Sequence, residues 1–172
     1  GSAFEGSNPS LPSFAMKNSE LANQHEPFYS DGVRFGCSRC SLCCRFDSGF
    51  VWLSRADLAA LSDGLHSTQP DIISDYCRTV DLGGFRQLSL AEQPNKDCVF
   101  WRDGGCSVYG FRPLQCRSFP FWAHQLASEQ TWNESARHCP GIGVGPLHGR
   151  EQIEEWIKLR RFQPPLNADT LP

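Results

Sequence analysis

The chain has 172 residues, of which 40% are hydrophobic and 20% are charged, and its formal net charge is -3. This length favours a single domain that can bury a core of its own. The small net charge gives no electrostatic reason to expect binding to nucleic acid or to an anionic membrane. Neither end holds an apolar run long enough to span a bilayer. We therefore expect no nucleic-acid or membrane partner and leave an unknown protein partner open.

The chain divides into four parts by composition. Residues 1–15 are rich in Gly, Ser and Pro and lack the segments of a signal peptide, so we interpret them as an added or disordered leader before Met16. Residues 16–32 form an N-terminal extension, residues 33–163 the cysteine-cluster domain, and residues 164–172 a tail. Without a signal peptide the expected compartment is the cytoplasm, where nine cysteines indicate metal rather than disulfides. If a targeting segment has been removed, disulfides stay the alternative.

Short β-prone runs and amphipathic helices follow one another along the chain. This order predicts a small α+β domain with short strands and hairpins and with helices packed outside, organised around cysteine-ligated metal. Strands are predicted at residues 33–35, 49–53 and 85–90, and a hairpin at 98–109. Helices are predicted at residues 55–64, 69–80, 131–136 and 150–162.

Local signals fix several of these boundaries. Ser54 is a good N-cap, Asp57 stands three residues later, and Gly64 is expected to end that helix. The glycine-rich residues 141–146 neither follow a predicted strand nor open a helix, so we interpret them as a connection rather than a phosphate loop. In the last helix we expect Glu154 to pair with Lys158 at i,i+4.

Four of the nine cysteines lie within eight residues, which is the feature that the rest of the sequence depends on. The cluster is Cys37-x2-Cys40-x2-Cys43-Cys44. Adjacent Cys43 and Cys44 project in different directions, which favours their division between two centres. Four more thiols follow at a distance, enough for two four-thiolate sites: Cys98, Cys106, Cys116 and Cys139. The predicted hairpin places Cys98 and Cys106 face to face, and Pro113 begins a helical turn that carries Cys116.

Two kinds of centre suit these ligands. Thiolates bind zinc in a tetrahedron and bind iron–sulfur clusters equally well. The triple Cys37-x2-Cys40-x2-Cys43 with a remote Cys139-Pro140 is typical of the way bacterial ferredoxins hold a cubane, which favours iron in at least one site. Zinc stays the alternative, or the metal of a second site.

Other side chains are candidates for roles at the metal sites beside the thiols. Guanidinium groups can neutralise thiolate charge, and several arginines lie beside cysteines in the sequence, among them Arg39, Arg45, Arg102, Arg117 and Arg137. His124 and His138 are candidate substitute ligands. Cys77 lies beside the apolar face of the second helix, so we interpret it as a small buried hydrophobe. The aromatic residues 118–122 pack in the core or shield the metal.

The cysteine pattern as a whole resembles the CxxCxxCC cysteine-cluster family, described as a zinc- or iron-chelating domain. The matching residues are Cys37-x2-Cys40-x2-Cys43-Cys44, Cys98, Cys106-Ser-Val-Tyr109-x2-Arg112-Pro113-x2-Cys116-Arg117-x-Phe119-Pro120, and Cys139-Pro140-Gly141. The resemblance implies metal binding through the eight cysteines. A relative with a similar cluster, flagellin lysine N-methylase, is associated with an iron–sulfur centre and methyl transfer, but no methyl-donor domain is found here.

Three functions therefore stay open at the sequence level. The first is a protein that holds iron, as an iron–sulfur cluster, or zinc through eight cysteines and transfers electrons or metal to a partner. The second is a small metalloenzyme related to protein lysine methyltransferases, with one iron site open to substrate. The third is a zinc-stabilised interaction module without chemistry. No catalytic residue follows from the sequence.

Overall fold

A computed structural model describes residues 26–171, so the predicted leader and most of the N-terminal extension lie outside the described residues. The α+β class is confirmed: helices alternate with pairs of short antiparallel strands. The α-helices are α1 (Arg55–Leu65), α2 (Gln69–Tyr76), α3 (Leu114–Arg117), α4 (Glu129–Ala136) and α5 (Arg150–Phe162). The strands are β1 (Val33–Phe35), β2 (Cys77–Asp81), β3 (Arg86–Leu90), β4 (Trp101–Arg102), β5 (Gly105–Cys106) and β6 (Ile142–His148).

The core consists of two apolar clusters, and cysteines pack against each of them. The first joins α1, α2 and the β2–β3 pair, and its buried members include Leu53, Leu58, Leu61, Ile72 and Leu88. The second lies around α4, α5 and β6, with buried members Phe121, Leu126, Trp132, Ile142 and Ile153. Each cluster supplies a rigid support on which cysteines can be held.

Helix α1 begins as the sequence predicts. The Ser54 hydroxyl accepts from the Asp57 N–H, and the Asp57 carboxylate accepts from the Ser54 N–H at 3.0 Å, which completes a capping box. Gly64 does not end the helix, which continues to Leu65 and closes at His66 in a left-handed conformation (φ 53°). A Cβ at position 64 would meet the Phe111 ring at 2.6 Å, so glycine is needed there for packing.

The second helix is shorter than predicted. It ends at Tyr76, and Cys77–Asp81 instead forms β2, which pairs antiparallel with β3 from Cys77↔Leu90 to Asp81↔Arg86. The β-branched residues of 78–80 take the extended form because β3 offers them a pairing partner, which the helical periodicity does not reveal. Cys77 packs against the first apolar cluster as predicted, but it is only partly buried.

The glycine-rich residues 141–146 do more than connect. Most of them belong to β6, which pairs antiparallel with β1 through Val33↔His148, Arg34↔Leu147 and Phe35↔Ile142. Gly145 is left-handed (φ +81°), and a Cβ there would lie 2.9 Å from the Gly36 Cα. The prediction of a plain loop was wrong because glycine allows this close approach of two backbones.

The predicted hairpin is present but shorter. Trp101 pairs with Cys106 and Arg102 with Gly105, while Cys98 lies outside the ladder and bridges to Glu92. Cys98 and Cys106 are therefore not cross-strand partners, contrary to the prediction. Cys116 lies on the short helix α3 after Pro113, as predicted.

The remaining sequence expectations have mixed outcomes. The segment 49–53 forms no named strand, although Trp52 bridges to Ser89 and the Leu53 N–H donates to the Leu88 carbonyl at 3.1 Å. In α5 Glu154 pairs with Arg150, at 2.6 Å, rather than with Lys158. Within residues 26–171 no helix has both the length and the apolar character needed to cross a bilayer.

Candidate metal centre

The cysteine-rich loop, residues 37–44, has an unusual backbone. Arg39 and Ser41 are both left-handed, with φ of 56° and 64°, and a 3-10 turn follows at Leu42–Cys44. Such conformations are unfavourable for residues other than glycine and collect at functional sites. Alternation of backbone handedness also turns peptide N–H groups toward a common concavity, the arrangement that holds anions and iron–sulfur sites.

Hydrogen bonds join the two ends of this loop to two different parts of the chain. Before the loop, the Gly36 N–H donates to the Gly141 carbonyl at 3.0 Å, beside Cys139. At its other end, the Cys98 N–H donates to the Cys44 carbonyl at 2.7 Å. The loop therefore has one end next to Cys139 and the other next to Cys98.

The eight predicted ligands line two cavities that share a wall. The larger cavity has a volume of about 660 Å³ and is lined by Cys37, Cys43, Cys44, Cys98, Cys106 and Cys116. The smaller has a volume of about 240 Å³ and is lined by Cys37, Cys40, Cys43 and Cys139. Cys77 lines neither. All nine cysteines are free thiols, so the disulfide alternative gains no support.

The thiols face common spaces without meeting at one point. Cys43 Sγ and Cys44 Sγ lie 3.6 Å apart, but among residues 26–171 no three His, Cys, Asp or Glu side chains are close enough to hold one ion. Thiolates repel one another unless a cation lies between them, and metal sites are seldom fully formed without their metal. The role of the eight cysteines as ligands stays a prediction.

Burial and neighbouring thiols shift the acidity of the cluster. Contact with the Cys44 sulfur lowers the pKa of Cys43 to about 7, and the same contact raises the pKa of Cys44. Burial raises the pKa of the remaining distant thiols, Cys98, Cys106, Cys116 and Cys139. Cys43 therefore ionises more readily than these buried thiols, from which a cation would have to displace protons.

Arginines line the larger cavity. Arg39, Arg102 and Arg117 lie there as the sequence predicts, together with Arg112. The guanidinium of Arg112 lies 3.9 Å from the centre of the Tyr109 ring and that of Arg39 lies 4.3 Å from it. The carboxylates of Asp47, Glu92 and Asp103 also line the cavity. Contact with Cys44 is the main cause of the lowered pKa of Cys43, and Arg112 adds to it; at Cys106 and Cys116 burial raises the pKa and Arg112 offsets only part of that rise.

Two of the predicted arginines act elsewhere. Arg137 lines neither cavity. Arg45 donates to the buried Asp97 carboxylate at 3.1 Å and stacks 3.7 Å from the centre of the Trp101 ring. Because Arg45 follows Cys44 and Asp97 precedes Cys98, this ion pair holds two candidate ligands beside each other.

The smaller cavity contains polar groups besides its four thiols. His138 lines it, whereas His124 lines neither cavity and lies against Trp122 at 5.5 Å between ring centres. Gln125 also lines it, is 8% exposed, and has a buried side-chain oxygen without a hydrogen-bond partner in the part of the chain that the structure describes. Leaving such a group unpaired costs about 1–3 kcal/mol. The four cysteines are soft ligands that suit a thiolate-bound metal, and the Gln125 amide beside them has an unpaired oxygen.

Sequence reasoning missed Gln125 and noted Arg112 only as part of the family pattern. Nothing local marks Gln125, because its position depends on the fold of residues 119–126. Arg112 is as far from its nearest cysteine in sequence as Arg102 is, so spacing along the chain does not single it out, and only the fold places it at the larger cavity. The aromatic residues of the segment 118–122 meet both expectations: Phe119 lines both cavities and Trp122 the larger one, whereas Phe121 is buried in the second apolar cluster.

Comparison with known proteins agrees with this description of the chain. A family model named CxxCxxCC, "Putative zinc- or iron-chelating domain", matches residues 36–140. An uncharacterised protein of Methanocaldococcus jannaschii is 23% identical over 149 residues, which cover 84% of this chain and 76% of that protein. No solved structure matches. Since the family model spans more than half of the sequence, the chain belongs to the CxxCxxCC family of zinc- or iron-chelating domains.

Proposed function

We propose that this chain is an iron–sulfur protein with two four-thiolate centres, one at each cavity. The first would use Cys37, Cys40, Cys43 and Cys139, and the second Cys44, Cys98, Cys106 and Cys116. The observation that carries the proposal is the lining of the smaller cavity, which contains the Cys-x2-Cys-x2-Cys triple and the remote Cys139 that precedes a proline.

The contacts at the ends of the cysteine loop support this division. The Gly36–Gly141 hydrogen bond keeps Cys37 near Cys139, and the Cys44–Cys98 hydrogen bond keeps Cys44 near Cys98. Cys37 and Cys43 line both cavities. Assigning them to the smaller one gives each centre four sulfurs and separates the adjacent Cys43 and Cys44.

Iron is favoured at the smaller cavity because of this ligand order. The larger cavity offers four thiols from three separate segments, a set that also suits tetrahedral zinc. When bound, an iron–sulfur cluster supplies one-electron chemistry, and the exposed position of Cys37, Cys40 and Cys43 leaves the smaller centre close to the surface. We propose electron transfer to a protein partner in a reducing compartment, the cytoplasm, where free thiols persist.

The metal content of anaerobically purified protein tests the proposal. We expect visible absorbance that bleaches on reduction, and iron together with acid-labile sulfide. Cys139→Ser should lose the iron and sulfide of the smaller centre and keep the metal of the larger one, whereas Cys98→Ser should do the reverse. Cys77→Ser is the matched control and should keep both metals.

Two results would overturn parts of this proposal. A colourless protein that contains only zinc contradicts the assignment of iron. If Cys139→Ser and Cys98→Ser each remove all bound metal, or the same metal, the division of the ligands is wrong.

The size of the larger cavity favours a second candidate, a small metalloenzyme. About 660 Å³ lies within the range of roughly 300–1,000 Å³ that small-molecule pockets occupy, and aromatic rings and arginines line it beside the thiols. An enzyme would keep one coordination position open, whereas a structural or electron-transfer centre is closed. Adding cyanide to the Co²⁺-substituted protein separates the two, because an open position gives a spectral change and four sulfurs give none.

A further inference from the structure

The Gln125 side chain is a polar group in the smaller cavity that the proposed ligand set does not use. It is 8% exposed, and its side-chain oxygen lacks a hydrogen-bond partner within residues 26–171. Its backbone position is fixed: the N–H groups of Gln125 and Leu126 both donate to the Trp122 carbonyl at 3.0 Å, and Leu126 is buried in the second apolar cluster. The backbone from which the amide extends is therefore held beside the cavity.

The groups that share the cavity favour one use of this amide. The Ser135 hydroxyl is already occupied, since it donates to the Thr131 carbonyl at 2.9 Å. The other lining atoms include four cysteine sulfurs, which accept hydrogen bonds when they are thiolates. Rotation of the amide by 180° exchanges the positions of its oxygen and its NH2 group. A centre with bound metal therefore favours the orientation in which the NH2 group faces the sulfurs.

We propose that the Gln125 amide donates an N–H···S hydrogen bond to the sulfurs of the smaller centre, and so sets its metal affinity and reduction potential. The inference rests on the proposed function, because it takes the ligands of that centre to be Cys37, Cys40, Cys43 and Cys139. Gln125 is a positioning residue here and not a ligand. Outer hydrogen bonds of this kind change metal affinity about 10- to 100-fold and contribute to the potential of iron–sulfur clusters.

Gln125→Leu in the full chain tests the inference by two opposite effects. Titration with Co²⁺, followed by thiolate-to-metal absorbance, should show one of the two equivalents weakened about 10- to 100-fold. The melting temperature of the metal-free protein should stay the same or rise, because leucine removes an unpaired buried amide. A purely structural role for Gln125 would lower both quantities together.

Gln163→Leu is a matched control. The Gln163 side chain also has a buried oxygen without a partner in the described part of the chain, but it lines neither cavity. We expect its Co²⁺ titration to equal that of the wild type. Gln125→Glu keeps the shape of the side chain but replaces the N–H donor with a negative charge. It should weaken binding of the same Co²⁺ equivalent more than Gln125→Leu does. It also provides the test if Gln125→Leu fails to fold.

In the iron-loaded protein, Gln125→Leu should lower the midpoint potential of the smaller centre. The shift should be about 59 mV for each factor of ten by which the hydrogen bond favours the reduced cluster over the oxidised one. If the wild type loads the smaller centre and both Gln125 variants match it in affinity and potential, this inference fails alone. If the wild type binds no metal through Cys139, the proposed function fails and this inference fails with it.

Discussion

Two regions of the molecule reach order by different means. The apolar region is formed by α1, α2, β2 and β3. Its core side chains are almost completely buried, and Leu53, Leu61 and Ile72 are 0% exposed. The thiol region, formed by residues 37–46 and the segments that carry the four distant cysteines, is open by comparison. Leu42 and Phe46 are 44% and 57% exposed there, and Cys37, Cys40 and Cys43 are exposed.

This difference shows what each region needs in order to fold. Burial of apolar side chains is enough to specify the apolar region without any ligand. The thiol region buries little, contains left-handed residues at Arg39, Ser41 and Phe46, and has a few hydrogen bonds at its ends. The additional folding free energy that the thiol region needs would come from bound metal. The two regions should therefore respond to different perturbations.

Removal of metal should have the largest effect. Structural thiolate sites contribute on the order of 10 kcal/mol of folding free energy, and we expect that contribution to fall on the thiol region. After chelation of the loaded protein, hydrogen exchange should accelerate at the Gly36 and Cys98 amides and stay slow at Leu58 and Leu88. Equal acceleration at all four amides would show that the two regions fold as one unit.

Truncation of the apolar region comes next. Leu61→Ala removes a fully buried side chain and should lower the free energy of unfolding by about 2–5 kcal/mol. Denaturant unfolding should give this loss in both loaded and metal-free protein, with the metal content unchanged. Leu147→Ala, at a side chain that is 56% exposed, is the control and should change stability by less than about 0.5 kcal/mol.

The Arg45–Asp97 ion pair tests the connection between the regions. Asp97 is 1% exposed and also accepts from the Asn95 amide at 2.9 Å. Asp97→Asn should lower stability by about 1.5–3 kcal/mol, the range for hydrogen bonds to charged groups. It should also weaken metal binding at the larger cavity, because only the Cys98–Cys44 backbone hydrogen bond would then hold these two residues beside each other.

The exposed pair of Arg150 and Glu154 provides the control for that change. Both side chains are about half exposed, so Glu154→Gln should cost no more than about 0.5 kcal/mol. Unchanged Co²⁺ affinity in Asp97→Asn would mean that the ion pair stabilises the fold without positioning the thiols.

Alkaline pH should have a smaller, graded effect on the metal-free protein. Burial raises the pKa of Cys77 to about 12, above the ordinary value of about 8.5. The unfolded chain therefore loses this proton first, so the contribution of Cys77 to stability is complete below about pH 8.5 and decreases as the pH rises toward 12, by at most about 1.4 kcal/mol per unit.

Substitution of Cys77 isolates its share of this pH dependence. Cys77→Ala should cost about 1 kcal/mol at pH 7 and flatten the decline of stability between pH 9 and pH 11, measured by urea unfolding. It should leave the metal content unchanged. An equally steep decline in the variant would assign the pH dependence to the other buried thiols.

Local features of the sequence predicted much of the fold. Capping residues and amphipathic periodicity placed the starts of α1, α2 and α5, because a helix depends mainly on residues within one or two turns. Strand pairing was harder to predict. The sequence predicts a connection where β6 forms and helix at residues 77–80 where β2 forms, since each strand depends on pairing with another strand rather than on its own periodicity.

The candidate site shows the same limit. The spacing of Cys37, Cys40, Cys43 and Cys44 by itself indicated metal, since thiols so concentrated in one loop suit few other uses. The two cavities that the eight cysteines line, the place of Arg112 in one of them and the unpaired side-chain oxygen of Gln125 came only from the tertiary structure. They depend on which distant segments lie side by side, which is decided by the packing of two apolar clusters and not by spacing along the chain.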